Sequence, residues 1–177
     1  MLKFEKFDRS PFQQELVRVF EEAFPPAERP PLRAFLPCTR KPGCVLYAVS
    51  EGDTFVGLVC LAGCGDLLCL MYLAVSPRLR GRRYGSRILR GLCRHFKDKR
   101  IVLILENLRR DCDNYQQRLA RRLFYRHAGF ELLPWTVREF GVWYDAMSFG
   151  GGVSRQEYIA LNRQFYGRPA YTMLQIL

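Results

Sequence analysis

The residues best equipped for chemistry lie together between Ser76 and Ser86, a basic turn that holds Pro77, Arg78, Arg80, Gly81, Arg82, Arg83, Tyr84 and Gly85. An apolar run, Leu67 to Val75, leads into it. Apolar residues at helical spacing follow: Ile88, Leu89, Leu92, Cys93 and Phe96. A strand, a basic glycine-containing turn and a helix start make a physical recipe for holding phosphate. Backbone N–H groups at a helix start point outward unpaired, and the helix dipole favours an anion there. Gly81 and Gly85 let the backbone approach a ligand with no Cβ in the way. Arg80, Arg82 and Arg83 add permanent charge and forked donors. The longer series Arg78 to Arg94 also admits a nucleic-acid groove. No series of stacking aromatics accompanies it, and the glycine pair suits one compact phosphate site better.

Elsewhere the candidates are fewer. Glu106 closes the apolar run Arg100–Glu106, where it can accept a proton or pair with an arginine. His95 and His127 sit near helix ends and read as surface residues that complement the dipole. The seven cysteines include no Cys-x-x-Cys pair and have only two histidines for company. A zinc site wants four convergent ligands at tighter spacing. Buried free thiols in a reducing compartment, and no metal, are the expectation.

Several elements must position these groups. Leu2 to Phe7 alternates apolar and charged residues and predicts a strand. Ser10-Pro11-Phe12-Gln13 reads as a helix start, with Ser10 at the cap and Pro11 at the first helical position. A stripe of Leu16, Val17, Phe20, Ala23 and Phe24 follows, and Pro25-Pro26 ends it. A short second helix is expected at about Pro31–Phe35. Cys44–Ser50 and Thr54–Leu61 predict a hairpin about Glu51-Gly52-Asp53, with Gly57 a bulge or a point of close approach. Leu67–Val75 is the next strand, and Arg100–Glu106 a buried strand parallel to it, reached through the helix between. Asn114–His127 predicts a helix with Tyr115, Leu119 and Leu123 on one face and Arg118, Arg121, Arg122 and Arg126 on the other, closed by Ala128-Gly129. Phe130–Pro134 and Val142–Phe149 read as the last two strands, joined by a loop over Trp135–Gly141. Ser154 to Glu157 forms a capping box that starts a terminal helix to about Phe165. Arg168–Leu177 suits a strand, a loose end or a partner-binding segment.

The turn and the helix that ends at Gly129 carry a resemblance. Arg80 to Ser86, after a strand that ends in Ala74-Val75-Ser76-Pro77, resembles the acetyl-CoA signature of the GNAT superfamily of N-acetyltransferases: Gln or Arg, two residues, Gly, one residue, then Gly or Ala. Arg80 and Gly85 match its first and last positions, and Arg83 stands where the family has its middle glycine. Leu123 to Phe130 resembles the family's Leu-Tyr…Gly-Phe helix end. The resemblance covers about residues 2–149. It implies an α+β fold, a mixed twisted sheet with helices on both faces. Residues 1–149 would be the acetyltransferase domain, with the helix and tail of 150–177 part of the same domain.

The resemblance also implies a chemistry. Acetyl-CoA is the expected cosubstrate, with no metal. Backbone N–H groups of Leu73, Ala74 and Val75 would meet its acyl carbonyl and pantetheine arm. Arg80, Gly81, Arg82, Arg83, Tyr84, Gly85 and Ser86 would hold its phosphates. Tyr125 is the candidate proton donor to the departing thiolate, and Glu106 the candidate base for the amine. Arg118 stands where relatives often carry a cofactor-contacting Asn, and would serve the phosphates or face solvent. The acceptor would be a small-molecule or peptide amine, attacked directly on the thioester.

Composition sets the remaining bounds. A chain of 177 residues with 49% hydrophobic content can form a folded domain. No apolar run approaches the ~20 residues of a membrane helix. The acidic, signal-free N-terminal stretch points to a soluble, cytoplasmic protein; a monomer or homodimer is expected. The net charge of +11 exceeds the roughly −4 that CoA carries. The excess suits a solvated basic face, steering of an acidic acceptor, or weak binding of RNA. A non-catalytic module of the same fold that binds RNA or an acidic protein is the alternative.

Overall fold

Alternation of apolar and charged side chains over Leu2-Lys3-Phe4-Glu5 builds strand β1 (Leu2–Lys6), and a 3-10 turn at Phe7–Arg9 ends it. The computed structural model describes residues 1–26, 29–109, 112–139, 141–166 and 174–175. They divide into two units: residues 1–63 with 70–92, and residues 64–69 with 93–177.

In the first unit, helix α1 (Gln13–Ala23) starts two residues later than expected. Ser10 does not cap it. Its Oγ accepts from the Phe12 N–H at 3.2 Å, which turns the chain ahead of the helix instead. Leu16, Val19 and Phe20 are buried, so Val19 takes the inward place expected of Val17. Helix α2 (Leu32–Cys38) runs three residues past the expected end, with Pro37 in its last turn. Strands β2 (Cys44–Glu51), β3 (Thr54–Cys64) and β4 (Leu67–Val75) follow. The order is β1-β2-β3-β4, with β1/β2 and β2/β3 antiparallel. Gly57 fills both of its expected roles. The β2/β3 register shifts at Val49/Ser50, opposite it. A Cβ there would lie 2.2 Å from the Ala74 carbonyl oxygen, so only glycine lets β3 and β4 come this close.

The core of this unit joins α1 and α2 to the sheet through Leu16, Val19, Phe20, Phe35, Leu46, Ala48, Leu58 and Cys60. Phe20 stacks on Phe35 with centroids 4.5 Å apart. Tyr72 meets Phe20, Phe24 and Phe35 edge-on at 5.0, 4.8 and 5.4 Å. Each such pair adds about 0.5–1.5 kcal/mol beyond the area it buries. Tyr72 immediately precedes Leu73–Val75, so this packing fixes the strand end that carries the candidate backbone donors. The 12-residue helix α3 (Tyr84–His95) then starts at the basic turn and buries Ile88, Leu89, Leu92 and Cys93.

In the second unit, Leu67–Cys69 of β4 pairs parallel with Arg100–Val102 of β5 (Arg100–Glu106). Parallel pairing follows from the helical crossover, since a tight hairpin joins only antiparallel strands. Helix α4 (Tyr115–Arg126) comes next, closed by Gly129 at φ +91. Strands β6 (Glu131–Glu139) and β7 (Val142–Phe149) form an antiparallel pair, and β7 also pairs with β5. The expected loop over Trp135–Gly141 is therefore strand as far as Glu139. A register irregularity between Leu132 and Thr136 takes up Pro134. Val137 is fully buried, and Trp135 Nε1 donates to the Val153 carbonyl at 2.8 Å. Helix α5 (Arg155–Tyr166) starts from the expected capping box. The Glu157 N–H donates to Ser154 Oγ at 3.2 Å, and Ser154 N–H donates back to Glu157 Oε2 at 2.8 Å. Leu174–Gln175 forms β8 against Arg138–Glu139. The rest of the expected tail lies outside the described residues.

Among the described residues the sheet is mixed and the α-helices are five, as the α+β expectation requires. No helix among the described residues is long and apolar enough to cross a membrane.

Candidate active site

Strand β4 follows β3 in the sheet order, and its parallel pairing with β5 covers Leu67–Cys69, short of Leu73–Val75. Ala74 is buried, while Leu73 and Val75 are half-buried. On the β3 side the Ser76 N–H donates to the Val56 carbonyl at 2.8 Å. Pro77 cannot donate, and the chain leaves the sheet in a 3-10 turn at Pro77–Leu79. Arg80 folds back, its Nε donating to the Val75 carbonyl at 3.3 Å. Gly81 has φ +76 with open space around it.

Arg83 has φ +60, and it is the only non-glycine residue with positive φ among those described. A side chain in the left-handed region costs about 1–2 kcal/mol. The place of the family's middle glycine thus keeps the glycine conformation although an arginine occupies it. The Arg87 N–H donates to the Arg83 carbonyl at 3.1 Å, so α3 begins at Tyr84. The first N–H groups of α3 have no helical partner, and no acidic residue lies in its first turn. Arg78, Arg80, Arg82 and Arg83 are all exposed around them. Left-handed residues beside a helix start make a cluster of outward N–H groups that suits a diphosphate. The structure therefore brings Leu73–Val75 and Arg80–Ser86 together at one strand-to-helix corner.

Tyr125 and Glu106 belong to the second unit. Tyr125 lies in the last turn of α4, partly buried, edge-on to Phe124 at 5.0 Å and to Phe130 at 5.7 Å. Burial pushes its phenol up to about 12, against a small opposing pull from Arg121. Among the described residues nothing hydrogen-bonds its hydroxyl. Glu106 ends β5 between two guanidiniums, with Arg118 Nη2 at 3.0 Å from Oε1 and Arg121 Nη2 at 2.6 Å from Oε2. A carboxylate has about four acceptor sites, so lone pairs remain for a further donor.

Arg118 neither faces solvent nor stands free for phosphate. It also donates to Asn114 Oδ1 at 2.7 Å and to the Asn107 carbonyl at 2.8 Å. Arg122 is half-buried as well and pairs with Asp145 on β7. The arginine face of this helix is thus partly an ionic seam with β5 and β7. The acids on those strands turn it inward. Sequence reasoning missed Asp145, whose oxygens also accept from Asn107 Nδ2 at 2.6 Å and from the Leu108 N–H at 3.4 Å. One acid within the otherwise uncharged strand Val142–Phe149 was the available signal. Glu51 was missed too. It looked like a turn residue, yet it accepts from Tyr84 and Arg87 in the first turn of α3. His95 and His127 are both exposed, as expected. All seven cysteines are free thiols, but only Cys60, Cys69 and Cys93 are buried, with Cys38, Cys44 and Cys112 half-buried and Cys64 exposed. Among the described residues no group of three His, Cys, Asp or Glu side chains converges.

This corner lies within a family match. Residues 10–130 match the acetyltransferase (GNAT) family, and the chain belongs to that family. The match runs through the turn, β5 and α4. Solved structures agree on the fold. A protein from Bacteroides thetaiotaomicron assigned to the GNAT acetyltransferases superposes with a TM-score of 0.77 at 20% identity, covering 97% of this chain and 98% of its own. The ribosomal-protein-S18-alanine N-acetyltransferase of Escherichia coli gives 0.63 at 12% identity, with 88% and 97% covered. An aminoglycoside 6'-N-acetyltransferase complexed with coenzyme A gives 0.62 at 17% identity, with 83% and 96% covered. None of the curated proteins matches the sequence.

Proposed function

We propose that the protein transfers an acetyl group from acetyl-CoA to a primary amine of a small molecule or peptide, by direct attack and without a covalent enzyme intermediate. The observation that carries this reading is the corner at Gly81–Ser86. Its left-handed backbone, unpaired helix N–H groups and exposed arginines fit a diphosphate. Leu73–Val75 lies on β4 beyond the stretch Leu67–Cys69 that pairs with β5, where an extended pantetheine arm can add as a further strand.

The balance of the reaction is simple. The neutral amine nitrogen forms a bond to the acyl carbon, and the carbon–sulfur bond breaks. The sulfur leaves with the electron pair and takes a proton from the Tyr125 hydroxyl, which regains one as the acylated nitrogen sheds its extra proton. A lysine-type amine has a reference pKa near 10.4, so a proton must first leave it. Glu106, with lone pairs still open, takes that proton directly or through water. Orientation of the two reactants contributes about 7–11 kcal/mol when geometry is good, so little other chemistry is asked of the protein. The basic surface favours an acidic peptide or anionic metabolite as acceptor over a polyamine. The free thiols agree with a cytoplasmic setting.

Calorimetry with CoA tests the phosphate corner. Arg83→Glu reverses a charge at its centre and is expected to weaken binding at least about 100-fold. Unchanged affinity would remove this assignment. Screening amines with acetyl-CoA then identifies the acceptor.

A further inference from the structure

Glu51 ends β2 and enters the turn to β3, a place with no part in the chemistry above. Its carboxylate nevertheless grips the first turn of α3. Tyr84 Oη donates to Oε2 at 2.9 Å. Arg87 donates through Nη1 to Oε2 at 3.1 Å and through Nη2 to Oε1. The Arg87 guanidinium also lies 4.8 Å from the centroid of the Tyr84 ring, a cation–π distance. The three side chains close into one bonded unit. Bidentate Arg–carboxylate pairs of this kind hold geometry as well as charge. The bonds from Arg87 first, and Tyr84 second, hold the Glu51 carboxyl down to about 2.

Two consequences follow for the neighbouring turn. Arg87 is committed to Glu51, so the guanidiniums left for an anion are those of Arg78, Arg80, Arg82 and Arg83. Tyr84 is also the residue directly after Arg83, the one described non-glycine position held at positive φ. A bond at Tyr84 fixes the far side of that strained residue. Strain of this kind persists only where the surroundings over-determine it.

We propose that Glu51 is a positioning residue for the cofactor turn. By fixing Tyr84 and Arg87 it keeps Arg83 left-handed and aims the first N–H groups of α3 at the diphosphate. This rests on the reading of that turn as a CoA site.

The sign of one effect decides the matter. A carboxylate beside bound phosphates repels them, and removing it also releases Arg87. By Coulomb's law alone, Glu51→Gln tightens CoA binding. A positioning role predicts the opposite. The experiment is calorimetric titration with CoA at a temperature well below each variant's unfolding midpoint. It compares wild type, Glu51→Gln, Tyr84→Phe and the double variant Glu51→Gln/Arg87→Gln, which keeps the wild-type net charge. Glu51→Gln is expected to weaken binding about tenfold despite losing a negative charge, and Tyr84→Phe, at constant charge, about threefold. The double variant stays weaker than wild type. Equal or tighter binding by Glu51→Gln, or wild-type affinity in the double variant, overturns the proposal. A lowered unfolding midpoint with wild-type affinity overturns it as well, since that is what a merely structural bond would give. Should Glu51→Gln fail to fold, Tyr84→Phe decides alone, and wild-type affinity in it sinks the proposal. A wild-type protein without affinity for CoA overturns the reading of the turn itself, and this inference with it.

Discussion

Helices α3 and α4 are both tied to strands by carboxylate–arginine contacts, and the two ties differ in kind. At the start of α3, Glu51 and Arg87 are both about one-third exposed, with side-chain exposures of 30% and 37%. Along α4, Asp145 and Arg122 are 11% and 23% exposed. Exposed pairs contribute little to stability, whereas breaking a buried pair strands a charge away from water. The first tie is therefore suited to shaping a surface turn, and the second to holding the fold. The same chemistry supports binding in one place and stability in the other, and solvent makes the difference.

The sharpest way to break this contrast is Asp145→Ala. It leaves the Arg122 guanidinium, the Asn107 amide and the Leu108 N–H without their shared acceptor. A loss of about 3–5 kcal/mol in urea unfolding is expected. A loss below about 1 kcal/mol would place both ties in the exposed class.

Next in size is Tyr125→Phe, at the far end of the helix that Asp145 anchors. As a proton donor the tyrosine should be worth about 100-fold in turnover. CoA affinity should change far less, and equal losses in both would reduce Tyr125 to a contact residue.

A smaller effect is expected in alkali. The Tyr125 phenol is raised to about 12 by burial, above its ordinary value of 10.0. The fold favours the protonated form, so this contribution is complete below about pH 10 and disappears as pH rises to about 12. Wild type should lose stability across that window, and Tyr125→Phe should lose less. Identical alkaline limbs would show that the ring is not sequestered.

The smallest effect is on Arg83→Gly. Relief of about 1–2 kcal/mol of left-handed strain is offset by the greater freedom of an unfolded glycine, about 0.5–1 kcal/mol. Stability in urea should rise by no more than about 1.5 kcal/mol, while CoA affinity falls with the lost guanidinium. A drop in stability would mean that the arginine side chain, rather than the backbone, holds the turn.

Much of this architecture was legible in the residues. The strands Leu67–Val75, Arg100–Glu106 and Val142–Phe149 have the predicted bounds: the first two are near-continuous apolar stretches, and the third is apolar but for Asp145 and Ser148. The basic turn was legible because glycines and arginines between a strand and a helix have few other uses. The second half of β6 was not, since Pro134 and Gly141 read as punctuation while the register irregularity that absorbs the proline leaves no local mark. The inward turn of Arg118 and Arg122 depends on Glu106 and Asp145, which lie on other elements. The bond from Tyr84 to Glu51 spans 33 positions of sequence. Periodicity sees one element at a time, and contacts of this range are invisible to it.

Glu157 shows how narrow such a design can be. One of its oxygens serves Ser154 at the start of α5, while the other reaches Arg100 at 2.7 Å, which in turn contacts Asp66 at 2.8 Å. An aspartate there would keep the charge but be one methylene short, and it could satisfy the serine or the guanidinium but not both. A substitution that most scoring schemes regard as mild would thus uncouple the last helix from the strand it leans on.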